Sequence, residues 1–200
     1  MTDHADPFEW SGGHPALDFV NTLDERPFDP PIENLATYRD LVRFAELAKL
    51  IEPSVAAPLR KLSDPACSRV ARRARKLREH LHDVLAAAHA GQPLPQTDLD
   101  AIGAAIQVAH AARALVVSHS PGLAGHRWSR PVAPDTPLHA CALSIEHLLV
   151  AVERKRIRKC WASDCDVYYV DTSKGHRRQW CSMKACGNRE KQRRWRSGSQ

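Results

Sequence analysis

The chain of 200 residues has no run of about eighteen apolar residues. Its opening Met1-Thr2-Asp3-His4-Ala5-Asp6 has neither the basic start nor the apolar stretch of a secretory signal. The expectation is therefore a cytoplasmic protein with no membrane association. Internal repeats and long low-complexity tracts are missing, which excludes solenoids and extended disordered tails. No serine or cysteine nucleophile signature, phosphate-cradling glycine loop or spaced carboxylate motif stands in the chain, so an enzyme is not expected. Aromatic residues make up only 6%, and none match the aromatic pattern of the common RNA-reading sheets.

With 43% hydrophobic and 26% charged residues, the chain has the makeup of a folded globular protein. Its length suits one ordinary domain plus a module too small for a core of its own. There are six cysteines. Without an export signal, closely spaced cysteines bind metal more often than they form disulfides. Charge is unevenly spread: residues 1–150 hold fifteen Lys/Arg against eighteen Asp/Glu, and residues 151–200 hold fourteen against five. A focused positive field attracts polyanions, nucleic acid first among them.

Composition and punctuation divide the chain near residue 155, into a mostly helical part (1–155) and a basic module (156–200). A helix is predicted over 34–52, with Leu41, Ala45, Ala48 and Ile51 inward, Asn34 as cap and Pro53 as stop. A longer one starts at Asp64-Pro65 and runs through Val70, Leu77, Leu81 and Leu85 to Gly91. A third begins near Thr97 with Leu99, Ile102 and Ile106 on one side. Leu115-Val116-Val117, a turn at Ser120-Pro121-Gly122 and a return to Trp128 suggest a short hairpin. Thr136-Pro137 opens a fourth helix with Leu138, Cys141, Ile145, Leu148, Leu149 and Val152 inward, its polar end running from Arg154 to Lys159. Cys141, like Cys67 near the start of the second helix, reads as a small core residue and not as a redox sensor.

The basic module reads Cys160, four residues, Cys165, fifteen residues, Cys181, four residues, Cys186. Two short chelating loops separated by a hairpin-length spacer deliver four thiolates to one Zn²⁺. Four cysteines close the coordination sphere, so the ion is structural. Between the pairs, Val167-Tyr168-Tyr169-Val170 is strand-like, Thr172 to Gly175 can turn and His176 to Trp180 can return as the second strand; after Cys186 the sequence is helix-compatible. That order resembles a treble clef, with its last ligand at the start of a helix. His176 stands outside the ligand set. The fold class is thus mainly α (α+β): a helical N-terminal domain with a short hairpin, and a small treble-clef-like finger.

Cys160 to Arg194, with Val170-Asp171-Thr172-Ser173, Arg177-Arg178, Trp180-Cys181-Ser182-Met183 and Cys186-Gly187-Asn188-Arg189, resembles a CGNR-type zinc finger. Gly13-His14-Pro15-Ala16-Leu17-Asp18-Phe19-Val20-Asn21-Thr22, followed by Arg26, resembles the opening of the ABATE domain that accompanies such fingers. Gln179 and Tyr169 depart from the usual pattern, where arginine and phenylalanine are common; neither is a proposed ligand. The resemblance implies a bacterial stress-induced transcription regulator, whose finger binds DNA and whose helical domain has an unidentified ligand.

If residues 185–196 are helical, Arg189, Arg193 and Arg196 fall on one row, with Lys191 and Arg194 on its neighbour. Arg177 and Arg178 would extend that cationic face toward a flanking phosphate. Asn188 either reads a base or holds the turn of the second cysteine loop. Trp180 and Trp195 are expected to pack the miniature core. Asp18, Asn21 and Arg26 lie amid apolar residues; they either line a small-molecule effector pocket or satisfy backbone groups. The function expected is a zinc-dependent DNA-binding regulator, the N-terminal domain sensing an effector or forming a homodimer that matches two-fold half-sites. A zinc-stapled protein adaptor and an RNA-binding protein are the alternatives.

Overall fold

The structure, a computed structural model, describes residues 7–63, 65–117, 124–151 and 155–197. Seven α-helices and six short strands lie along these residues, the strands pairing as three antiparallel two-stranded ribbons. The chain falls into two compact units, one made of Met1–Asn34 with Leu148–Gln200, the other of Leu35–His147.

The second unit is a helical body. The sequence predicts one helix over 34–52, whereas the structure has two, α2 (Tyr38–Leu47) and α3 (Pro53–Leu59). Thr37, not Asn34, is the cap: its hydroxyl accepts from the Asp40 N–H, and the Asp40 carboxylate accepts from the Thr37 N–H, a reciprocal box. The helix stops where Ala48 caps it and Lys49 turns left-handed (φ 58°), so Pro53 opens the next helix instead of merely ending this one. Leu41, Val42, Phe44 and Ala45 are buried on the face toward α4 (Pro65–His89), the long helix that the sequence predicts. Asp64, its expected cap, lies outside the described residues. Gly91 at φ 66° takes the left-handed position beyond the C-terminus.

α4 packs on α5 (Gln96–Ala111), and His80 Nδ1 meets Asp98 Oδ1 across them at 2.6 Å. Ile102 is buried as expected, with Leu99 and Ile106 half-buried. The hairpin is present as β3 (Arg113–Val117) and β4 (Ala124–Trp128); its expected turn at 120–122 lies outside the described residues. α6 (Thr136–Val150) buries Leu138, Cys141, Ile145 and Leu148; Val152 and Arg154 are outside the described residues. Tyr38 anchors the approach to α6 by donating from its hydroxyl to the Pro134 carbonyl (2.8 Å).

The first unit joins two stretches that are far apart in sequence. It holds α1 (Pro15–Val20), the ribbon β1 (Leu23–Asp24) with β2 (Ile32–Glu33), and the cysteine-bearing segment. Among the described residues no helix is long and apolar enough to cross a membrane.

Candidate metal centre and its surroundings

β5 (Ile157–Lys159) and β6 (Tyr168–Val170) pair antiparallel, Ile157 opposite Val170 and Lys159 opposite Tyr168. This corrects the predicted hairpin: the partner of 168–170 precedes the first cysteine, and His176–Trp180 forms no strand. The first chelating loop is therefore the tip of the hairpin. It is closed by the Cys160 N–H donating to the Val167 carbonyl (2.9 Å) and the Cys165 N–H to Ala162 (3.1 Å). Residues 176–180 are fastened instead by side chains and loops. The Tyr169 hydroxyl donates to the Arg178 carbonyl (2.7 Å), and the Trp161 N–H donates to Gln179 (3.0 Å).

Of the second pair, Cys181 precedes a π-helical turn, Met183–Gly187, and Cys186 lies within it; the turn runs into α7 (Asn188–Ser197). Ser182 caps the turn by accepting from the Ala185 N–H. The Gly187 N–H closes the turn by donating to the Ser182 carbonyl (3.0 Å). Asn188 donates to the Lys184 carbonyl (3.2 Å), the turn-holding role of the two that the sequence left open. Arg189 donates to Cys186 Sγ (3.3 Å) and to Asp164 (2.9 Å), so the quartet Cys186-Gly187-Asn188-Arg189 is a ligand with three residues that shape and orient it.

All four sulfurs, of Cys160, Cys165, Cys181 and Cys186, lie within 4.8 Å of one another. Cys165 and Cys181 are 3.8 Å apart, and Cys181 and Cys186 are 3.5 Å apart. A tetrahedral Zn–S shell with bonds of about 2.3 Å has S···S edges of about 3.8 Å, so the cluster fits one zinc ion. Cys160, Cys181 and Cys186 are buried, packed with Ala162, Val167, Tyr169 and Trp180. The thiols share protons unequally. Cys165 and then Cys181 donate toward Cys160 and lower its pKa, while Cys165 is pushed up to about 12, chiefly by its bond to Cys160. The backbone N–H of Cys181 also points at Cys160 Sγ (3.5 Å), which favours thiolate there.

The seven cations singled out by sequence fall into two groups. Arg178 lies over the Tyr169 ring (4.2 Å) and donates to the Trp180 carbonyl (2.8 Å) and to that of Cys181. Arg189 and Arg193 both clasp Asp164 in the first loop, and Arg193 also reaches Ser163 and Glu190. Burial works against the Asp164 carboxylate, but donors from Arg193 and Arg189 hold it below the usual range. Arg177, Lys191, Arg194 and Arg196 are exposed, and among the described residues no carboxylate is paired with them. Trp180 packs as expected. Trp195 does not: it is 76% exposed, because α7 turns its 189/193 side to the first loop and leaves 191 and 195 outward.

The segment Gly12–Thr22 grips the finger's strand. Asn21 donates to the Tyr168 carbonyl (2.9 Å) and accepts from the Tyr168 N–H (3.0 Å), as a neighbouring strand would. Two residues on, the Val170 N–H donates to the Gly12 carbonyl (2.8 Å). Asp18 in turn accepts from the Gly12 N–H (2.8 Å), at a spot where a Cβ on Gly12 would lie 2.7 Å from Asp18 Oδ1. Burial raises Asp18 to about 6, against the Gly12 bond and with help from Glu9. Arg26 donates weakly to the Val20 carbonyl (3.4 Å). Asp18 and Asn21 thus satisfy backbone groups, the plainer of the two roles weighed from sequence.

A family described as "ABATE: Putative stress-induced transcription regulator" matches residues 13–152. The chain belongs to the ABATE family. The CGNR zinc finger matches residues 156–197, which include all four cysteines. No curated relative matches the chain. ABATE and CGNR thus meet in a structure where Asn21, in the opening of the one, and Gly12, just before it, are bonded to strand β6 of the other.

Proposed function

We propose that this ABATE protein is a bacterial cytoplasmic regulator that binds duplex DNA through its zinc finger and catalyses no reaction. The observation that carries the reading is the division of cations just described. Arg178, Arg189 and Arg193 hold the finger together, leaving Arg177, Lys191, Arg194 and Arg196 as solvent-facing charge on a scaffold fixed by zinc. Such cations neutralise phosphates and position a protein on a duplex; guanidinium groups can also read guanine edges. The helical body serves sensing or dimerisation.

The test is fluorescence anisotropy of the zinc-loaded protein with labelled duplex fragments across a salt series. Four phosphate contacts give a slope of log affinity against log salt of about −3.6, and Lys191→Gln/Arg194→Gln lowers it to about −1.8. Asp164→Asn, which touches only the internal clasp, leaves the slope unchanged. An unaltered slope in the double variant, or no duplex binding at low salt, overturns the reading.

A further inference from the structure

A second charged feature lies in the helical body, on residues that the finger does not use. The hairpin β3–β4, the loop between α2 and α3 and the segment leading to α6 line an open cavity of about 560 Å³. Arg113 and Trp128 are directly opposite in the hairpin register, so their side chains share one face, and His126, two residues on, shares it too. The Arg113 guanidinium carbon lies over the Trp128 ring, 5.8 Å from its centre. Lys49, Arg127 and Arg130 complete the cationic lining, against the single carboxylate of Glu52.

Two further observations make this more than a solvated basic surface. Arg113 lines the cavity while its Nε is buried behind the lining with no hydrogen-bond partner, so the guanidinium as a whole is under-satisfied. A terminal nitrogen of Arg113 lies 3.4 Å from His110 Nδ1, and His110 is itself engaged by Glu146 (2.7 Å); among the described residues no carboxylate is paired with the guanidinium. The rim is also fixed. Lys49 is held at φ 58° by the bonds that follow it, from the Leu50 and Ile51 N–H groups to the Ala45 carbonyl (2.8 and 3.2 Å). A non-glycine residue in the left-handed region is a conformation that folds keep where the surroundings require it.

We infer that this cavity binds a small organic anion carrying a phosphate or two carboxylates, with Arg113 and Arg130 as its principal charge partners. The volume lies in the range of metabolite pockets, about 300–1,000 Å³, and an inorganic ion would leave most of it open. The site is independent of the four cysteines and of the cations on α7.

Isothermal titration of the full-length, zinc-loaded protein with inorganic phosphate, adenosine 5′-monophosphate and succinate tests this and separates phosphate from carboxylate recognition. Saturable one-to-one binding of at least one organic probe is expected, tighter than inorganic phosphate. Arg113→Gln and Arg130→Gln each weaken it roughly tenfold or more, the loss expected for one charge-assisted partner. Arg130 is exposed, so its variant keeps the test open if replacement of Arg113 disturbs the hairpin. Lys191→Gln/Arg194→Gln leaves probe binding unchanged, so failure here is distinct from failure of DNA binding. The inference is overturned if none of the three probes binds saturably, or if binding survives both arginine substitutions. It is also overturned if those substitutions weaken duplex DNA binding while leaving the probes alone.

Discussion

Asn21 shows how one side chain can stand in for a strand. Its amide offers a donor and an acceptor in the geometry of a peptide group and satisfies both backbone groups of Tyr168, 147 residues away. Replacing it by alanine orphans a buried N–H and a buried carbonyl at once. At about 1–3 kcal/mol for each unsatisfied group, Asn21→Ala should lower the unfolding free energy of the zinc-loaded protein by about 2–6 kcal/mol in urea titration. Asp18, three residues earlier, has the opposite character. Its folded pKa of about 6 lies above the ordinary 3.8, so the folded state binds the proton more tightly than the unfolded one. The Asp18 contribution to stability is then fully present below the unfolded value and is lost as pH rises through about 6. Between pH 4.5 and 7.5 the loss is about 2 kcal/mol, from 1.36 kcal/mol per unit of pKa difference. Asp18→Asn should remove that part of the pH dependence, read as the difference between variant and wild-type stability at the two pH values. A difference that stays constant would show that the carboxyl titrates normally.

Elements were legible where local chemistry dictates them. α4 announces itself by proline in its first turn, apolar residues at helical spacing and Gly91 past its end. The split between α2 and α3 was missed because Leu41, Ala45, Ala48 and Ile51 keep helical spacing across it. Thr37-x-x-Asp40, a capping box three residues inside the expected start, identifies where α2 begins, and the sign of the split is Pro53, which suits the first turn of a new helix as well as the end of an old one. The cysteine spacing carried the metal centre directly, but not the partner of β6. Ile157-Arg158-Lys159 looks like the charged end of a helix, and only its position before Cys160, mirroring 168–170 after Cys165, marks it as a strand. The expected cationic row on α7 has correct periodicity, yet sequence does not show that Asp164 meets Arg189 and Arg193 across the finger. Both arginine side chains are 43% exposed, which limits what the clasp contributes. Asp164→Asn should cost about 1 kcal/mol for the two pairs together in thermal unfolding, and the loss should shrink as salt screens the pairs. A loss of several kcal/mol would assign Asp164 a role in the metal shell.

At the scale of the molecule, the chain begins and ends in the same compact unit, with the helical body inserted between. The matched families meet near residue 155, but the N-terminal segment completes the finger, whose small cluster of buried residues is mostly ligands and their neighbours. Structural zinc contributes about 10–16 kcal/mol in finger peptides, comparable to the whole stability of an ordinary domain, about 5–15 kcal/mol. Removing the ion should therefore release β6, and with it the partners of Asn21 and Gly12. Hydrogen exchange on the full chain, before and after chelation, would read this residue by residue. The amides of Gly12, Asn21, Tyr168 and Val170 should lose protection together, while those in the middle of α4 keep theirs. Re-addition of Zn²⁺ should restore all four. If residues 12–21 stay protected after the metal is gone, that segment folds without the finger, and its bonds to β6 are a docking contact added to a structure already complete.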